Sequence, residues 1–111
     1  MNIKEQYGAV ILELKGKLVG GLLSERINQT LDNFINQGKK NIIIDLSRVT
    51  YLNSSGMGIL ISGFSKLKNS GGTLKLANVT NKIEGILSIT KLNQIFENYA
   101  TVEDAVKSFK D

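Results

Sequence analysis

Residues 42–60 read Ile-Ile-Ile-Asp-Leu-Ser-Arg-Val-Thr-Tyr-Leu-Asn-Ser-Ser-Gly-Met-Gly-Ile-Leu, and this stretch decides the fold. Its isoleucines predict a strand over residues 41–46 that is buried on both faces, at the centre of a sheet. A helical pattern of apolar residues begins near Met57. Where a strand leads into a helix, the first backbone N–H groups lack helical partners and the helix dipole is positive. We therefore look for function in the stretch from Asp45 to Gly58, which contains this junction.

Two strands and one helix are predicted in the sequence before this stretch. Partial alternation over residues 7–15 predicts a half-buried strand that ends at Gly16. A shorter strand over residues 2–6 would pair with it through a turn at Tyr7 and Gly8. A helix is predicted over residues 22–37, where the apolar residues recur at helical spacing: Leu23, Ile27, Leu31, Phe34 and Ile35.

Predicted strands and helices continue to alternate along the chain. The helix that begins near Met57 is the second, and it ends at Ser-Gly-Gly, residues 70–72. Residues 74–77 predict another strand, and Asn81 with Glu84 resembles a capping arrangement for a third helix. Ile95 and Phe96 predict a short edge strand. Thr101, followed by Asp104, predicts the start of a fourth helix. Alternation of this kind indicates an α/β domain with a mixed sheet.

The composition narrows the classes of function. The chain has 111 residues, no cysteine, no histidine and a formal net charge of +4. Without histidine it lacks the usual general base and the commonest metal ligand, so we expect no metal and no cofactor. The positive charge is thinly spread, which argues against nucleic-acid binding. No apolar run approaches the roughly 20 residues that span a bilayer, so we expect no membrane insertion and a cytoplasmic protein.

Three interpretations of the adjacent serines Ser54 and Ser55 are open. As helix caps they would contribute about 1 kcal/mol, but capping does not account for Gly56 and Gly58, which weaken a first helical turn. As a nucleophile, a serine would need a base, and the chain has neither histidine nor a Gly-x-Ser-x-Gly motif. As a phosphate acceptor at a helix start, a serine would gain a charge that disrupts a docked partner.

The block at residues 45–60 resembles the signature of STAS domains, specifically those of anti-sigma factor antagonists. Residues 14–18 resemble the end of the family's first strand, and residues 66–76 resemble the segment that joins its second helix to the next strand. The resemblance implies a single α/β STAS-like sandwich domain over residues 1–111. Its mixed sheet would have four to five strands, with about four helices packed mainly on one side.

The resemblance also implies a function in partner switching, without catalysis by this chain. An unphosphorylated antagonist binds an anti-sigma factor that is also a serine kinase, which frees the sigma factor and regulates transcription. The kinase phosphorylates the antagonist and ejects it, and a serine phosphatase resets the cycle. The phosphorylated serine of the family corresponds to Ser55. The residues expected at the partner contact are Asn53, Ser54, Gly56, Met57, Gly20 and Gly21.

Two positions differ from the family pattern. Asn53 stands where an acidic residue usually precedes the serine pair, and Val19-Gly20 occupies the loop that often carries an aspartate. An alternative function also remains open. The chain would then be a STAS subunit of a lipid-transport complex or a stress-sensing scaffold, docked permanently, with Ser55 acting only as a cap. The sequence leaves the oligomeric state open.

Overall fold

A computed structural model describes residues 1–109 and contains one five-stranded sheet. The strands are β1 (Asn2–Gln6), β2 (Ala9–Leu18), β3 (Asn41–Leu52), β4 (Thr73–Ala77) and β5 (Asn98–Tyr99), in that spatial order. β1 is antiparallel to β2, and the other neighbouring strands are parallel. The helices are α1 (Leu22–Asn36), α2 (Ser54–Asn69), α3 (Asn81–Ile89) and α4 (Val102–Ser108), with a 3-10 turn at Leu92–Gln94.

The helices are distributed unequally over the two faces of the sheet. Buried residues of α1, α2 and α3 share the larger core with one face of the central strands, and these include Leu31, Leu60 and Ile83. α4 packs on the opposite face, where Ala105 and Val106 meet a smaller apolar cluster. The expected α/β sandwich, with a mixed sheet and helices mainly on one side, is therefore confirmed.

The two central strands are longer than the sequence predicted. β2 does not end at Gly16 but continues to Leu18, and β3 runs to Leu52 rather than stopping near Leu46. The register between them shifts twice, and each shift places an extra residue in β3, as in a β-bulge. Gly16 has φ 85, a conformation that glycine adopts without a steric penalty, so it lies within an irregular part of the strand.

Three other predicted boundaries are wrong. α2 begins at Ser54, three residues before Met57. α3 is capped by Thr80 rather than Asn81, because the Thr80 hydroxyl accepts the hydrogen bond from the backbone N–H of Ile83. The short edge strand is Asn98–Tyr99 rather than residues 95–96. Phe96 is instead buried in the larger core, where its ring packs edge-to-face on Phe64 at 5.4 Å.

A buried carboxylate ties the central strand to the loop after β4. Asp45 is 6% exposed, and its Oδ1 accepts hydrogen bonds from the backbone N–H of Ser47 at 3.0 Å and from Asn78 Nδ2 at 3.2 Å. Asn78 has φ 56, a left-handed conformation that asparagine tolerates better than most residues. Asp45 therefore holds the place where β4 ends and the chain turns towards α3, while β3 continues towards the functional junction.

Candidate functional site

Asn53 caps the helix that follows the central strand. Its backbone is extended, and its Oδ1 accepts a hydrogen bond from the N–H of Gly56 at 2.9 Å. The N–H of Met57 donates to the Asn53 carbonyl at 2.8 Å, which closes the first helical turn. Ser54 and Ser55 are thus the first two helical residues, and both are exposed. The capping role that we considered for the serines belongs to Asn53, so the Ser55 hydroxyl is not needed as the cap.

The Asn53 cap gives a measurable contribution to stability. Asn53→Ala is expected to lower the free energy of unfolding by about 1 kcal/mol, because the N–H of Gly56 loses its acceptor. Asn53→Asp keeps an acceptor oxygen at a helix N-terminus and should retain full stability. Urea denaturation of the two variants checks this. Equal stability of Asn53→Ala and the wild type would show that the cap contributes nothing.

Gly56 lets the helix start lie directly against the end of β2. A Cβ atom on Gly56 would lie 1.8 Å from the carbonyl oxygen of Leu18 and 2.8 Å from the Leu52 side chain. The same Leu18 carbonyl accepts a hydrogen bond from the N–H of Asn53 at 3.4 Å. Gly56 is buried, which leaves little of it for a partner to contact. The structure gives it a packing role that the sequence did not indicate.

The loop between β2 and α1 lies beside the serine. Gly20 has φ 100, and a Cβ atom built on it would lie 3.3 Å from Ser55 Cβ and 3.9 Å from Ser55 Oγ. Gly21 is exposed, has φ 75 and immediately precedes α1. The structure therefore brings Gly20 next to Ser55, although the two residues are 35 positions apart in the sequence. Met57 is partly buried and packs against the larger core.

Sequence reasoning missed the exposed apolar residues that flank this junction. Val19 and Leu22 border the two glycines of the loop and are 42% and 78% exposed, and Tyr51, close before Asn53, is 42% exposed. A signal was available for Leu22, because it falls outside the apolar stripe of α1 that begins at Leu23. Exposed apolar side chains beside a polar site are typical of protein-binding surfaces.

Over residues 1–109, no group of three or more His, Cys, Asp or Glu side chains could hold a metal ion. The first turn of α2 carries no acidic residue. Within the same range, no helix is long and apolar enough to cross a membrane.

Comparison with known proteins is consistent with this geometry. A family model described as the STAS domain matches residues 1–105. The chain belongs to the STAS family. This STAS domain is 30% identical over 79 residues to a Thermotoga maritima protein named as a candidate anti-sigma factor antagonist, covering 71% of this chain and 70% of the relative.

Solved structures share the fold over almost the whole STAS domain. A crystal structure of a candidate anti-sigma factor antagonist from Thermotoga maritima superposes with a TM-score of 0.89 at 26% identity, covering 99% of this chain and 94% of that one. The Bacillus cell fate determinant SpoIIAA in its phosphorylated form gives a TM-score of 0.74 at 23% identity, covering 97% of each chain. The SpoIIAA likeness is one of fold alone.

Proposed function

We propose that this STAS domain is an anti-sigma factor antagonist, non-enzymatic itself, that binds an anti-sigma factor with serine kinase activity. The kinase phosphorylates Ser55, which releases the complex, and a serine phosphatase restores the binding form. The cycle takes place in the cytoplasm and regulates transcription. The names of the relative and of the structural neighbours support the class of function. That SpoIIAA of the same fold exists in a phosphorylated form supports the modification.

One observation carries a phosphorylation site at this helix start: Ser54 and Ser55 are both exposed, while Asn53 already provides the cap. The resemblance to the STAS signature assigns the acceptor to Ser55, the second serine of the pair. Gly20 presents no side chain beside it, so a kinase can approach the hydroxyl from the loop side. A phosphate on Ser55 lies near the positive end of the α2 dipole, which the fold tolerates. The phosphate carries nearly two negative charges. Within a contact surface it would weaken binding, because it repels negative groups of the partner and because its burial costs desolvation energy.

The test is phosphorylation by the anti-sigma factor kinases of the source organism, purified and supplied with Mg-ATP. Peptide mass spectrometry should locate one phosphate on Ser55, and Ser55→Ala should abolish it. Ser54→Ala is the matched control, because it removes the adjacent exposed hydroxyl and should leave phosphorylation of Ser55 in place. Phosphate on Ser54, or phosphorylation that survives in Ser55→Ala, would refute the assignment. Co-purification with a transporter ATPase or stress scaffold, without phosphorylation, would favour permanent docking.

A further inference from the structure

Within the described residues 1–109, the apolar cluster under α4 covers only part of its face of the sheet. α4 contacts the portion of this face that is formed by the early residues of β2 and β3, including Ile11 and Ile43. Farther along the two strands, Leu18 and Leu52 point into the larger core on the other side of the sheet. In this part of β2 and β3, the side chains that point to the α4 side are exposed. We define the basic face by these side chains and one from α3: Lys15, Lys17, Arg48, Tyr51 and Lys82.

The pairing of β2 with β3 brings these residues together. Lys15 is opposite Arg48 and Lys17 is opposite Tyr51 in the parallel register. The Lys82 ammonium lies 5.9 Å from the centre of the Tyr51 ring, within the range of a cation–π contact. Tyr51 therefore has Lys17 opposite it on β2 and the Lys82 ammonium over its ring, and the neighbouring register pair adds Lys15 and Arg48.

The segments that supply the basic face are poor in acidic residues. Glu13 forms an ion pair with Arg48, with 3.7 Å between the Glu13 Oε1 and Arg48 Nε atoms. The chain has no Asp or Glu from residue 46 to residue 83, and none from residue 14 to residue 24. These two segments contain all five residues of the basic face. They also contain the loop between β2 and α1 and the helix start around Ser55. An unbalanced patch of one sign attracts a surface of the other sign and accelerates its association.

The basic face is continuous with the Ser55 site. Lys17 and Tyr51 immediately precede Leu18 and Leu52, and the Leu18 carbonyl accepts the hydrogen bond from the N–H of Asn53. A partner that covers Ser55 and extends over the ends of β2 and β3 therefore meets the lysines and arginine next. With a single aromatic ring, the face lacks the series of stacking side chains typical of single-stranded nucleic-acid binders.

We propose that the basic face is the second half of the docking surface and that it receives an acidic surface of the anti-sigma factor. This inference rests on the proposed function, and it specifies that the partner surface that meets the basic face is negatively charged. An acidic partner surface also explains how one phosphate would end the complex. A phosphate on Ser55 would stand beside the acidic surface that the basic face receives, and like charges that are brought together at an interface disfavour binding.

Charge reversal tests the proposal. In the double variant Lys15→Glu/Lys17→Glu, affinity for the anti-sigma factor should fall at least about tenfold at about 50 mM NaCl, and the loss should shrink at about 300 mM as salt screens the charges. The control, Lys68→Glu/Lys91→Glu, makes the same change in net charge at exposed positions outside the basic face. It should stay within about twofold of wild type. Equal losses in both variants, or none in the first, would overturn the proposal.

A second measurement does not depend on the identity of the anti-sigma factor. Amide resonances of wild-type protein are followed by NMR during titration with a polyglutamate peptide, a single-stranded RNA, and phosphatidylserine-containing vesicles. Polyglutamate should shift residues 15–18 and 48–52 first, and those shifts should vanish in the Lys15→Glu/Lys17→Glu variant. Shifts spread over all lysines, or tighter binding of RNA or vesicles through the same residues, would overturn the proposal. Failure of Ser55 phosphorylation with these shifts intact would refute the switch and leave the basic face in place.

Discussion

Gly56→Ala is expected to destabilise the protein by at least about 3 kcal/mol or to prevent folding, the largest effect of any single methyl group at the site. The added Cβ atom would lie 1.8 Å from the Leu18 carbonyl oxygen, and backbone cannot move aside as a flexible side chain can. Relief would require α2 to shift away from the end of β2. Such a shift would disturb the contact between the Asn53 N–H and the Leu18 carbonyl.

Gly58→Ala is the matched control for this prediction. Gly58 lies two residues further along the same helix, is exposed, and a Cβ atom there would meet nothing within 4 Å. Alanine should therefore stabilise the helix by up to about 1 kcal/mol. Thermal and urea unfolding of both variants provide the measurement. If Gly56→Ala were as stable as the wild type, the close approach of α2 to β2 would be wrong.

Ser55→Asp is expected to weaken binding to the anti-sigma factor by about 100-fold or more, which corresponds to about 2.7 kcal/mol. The carboxylate places a fixed negative charge at the exposed second residue of α2, in the middle of the proposed docking surface. The folded protein should not suffer. An acidic side chain in the first turn of a helix is favourable by about 0.3–1 kcal/mol, and this first turn has none. Stability should therefore rise slightly while affinity falls.

Ser65→Asp is the control that shows whether the position of the added charge matters or only the change in net charge. Ser65 is an exposed serine on the same helix, well beyond the first turn, so the substitution makes the same chemical change away from the site. Its affinity should stay close to that of the wild type in calorimetric titrations. Unchanged binding by Ser55→Asp would exclude Ser55 as the switch, and an equal loss in Ser65→Asp would point to net charge alone.

The junction shows where local propensity and tertiary packing disagree. The apolar pattern predicted that α2 starts near Met57, and glycines at 56 and 58 are poor helix formers. The helix nevertheless begins at Ser54, because the cap at Asn53 and the contact with Leu18 stabilise the first turn. Neither contribution follows from propensity. The first depends on the backbone conformation at Asn53, and the second on a carbonyl of a distant strand.

The central strand shows a second limit of pattern reading. Leu46, Val49 and Leu52 are all buried on the same side, at a spacing of three rather than two. The two register shifts against β2 insert extra residues in β3 and produce this spacing. A strand pattern with a period of two is lost after Leu46, and the predicted strand therefore ended there. The last six residues of β3 carry the chain to the candidate site and supply Arg48 and Tyr51, two of the five residues of the basic face.

The sequence by itself determined the class of fold and pointed to the junction at which Ser55 is the proposed phosphorylation site. Apolar periodicity marked α1, α2 and the buried core of β3, since burying those faces is the main driving force of folding, and the Asn-Ser-Ser-Gly block marked the junction. Only the tertiary structure decided which residue caps α2, that Gly20 lies against Ser55, and that four cations share one face. The last two depend mainly on the pairing of β2 with β3, which joins residues far apart in the chain through backbone hydrogen bonds that carry no sequence signal of their own. The cap depends instead on the backbone conformation that Asn53 adopts at the end of β3.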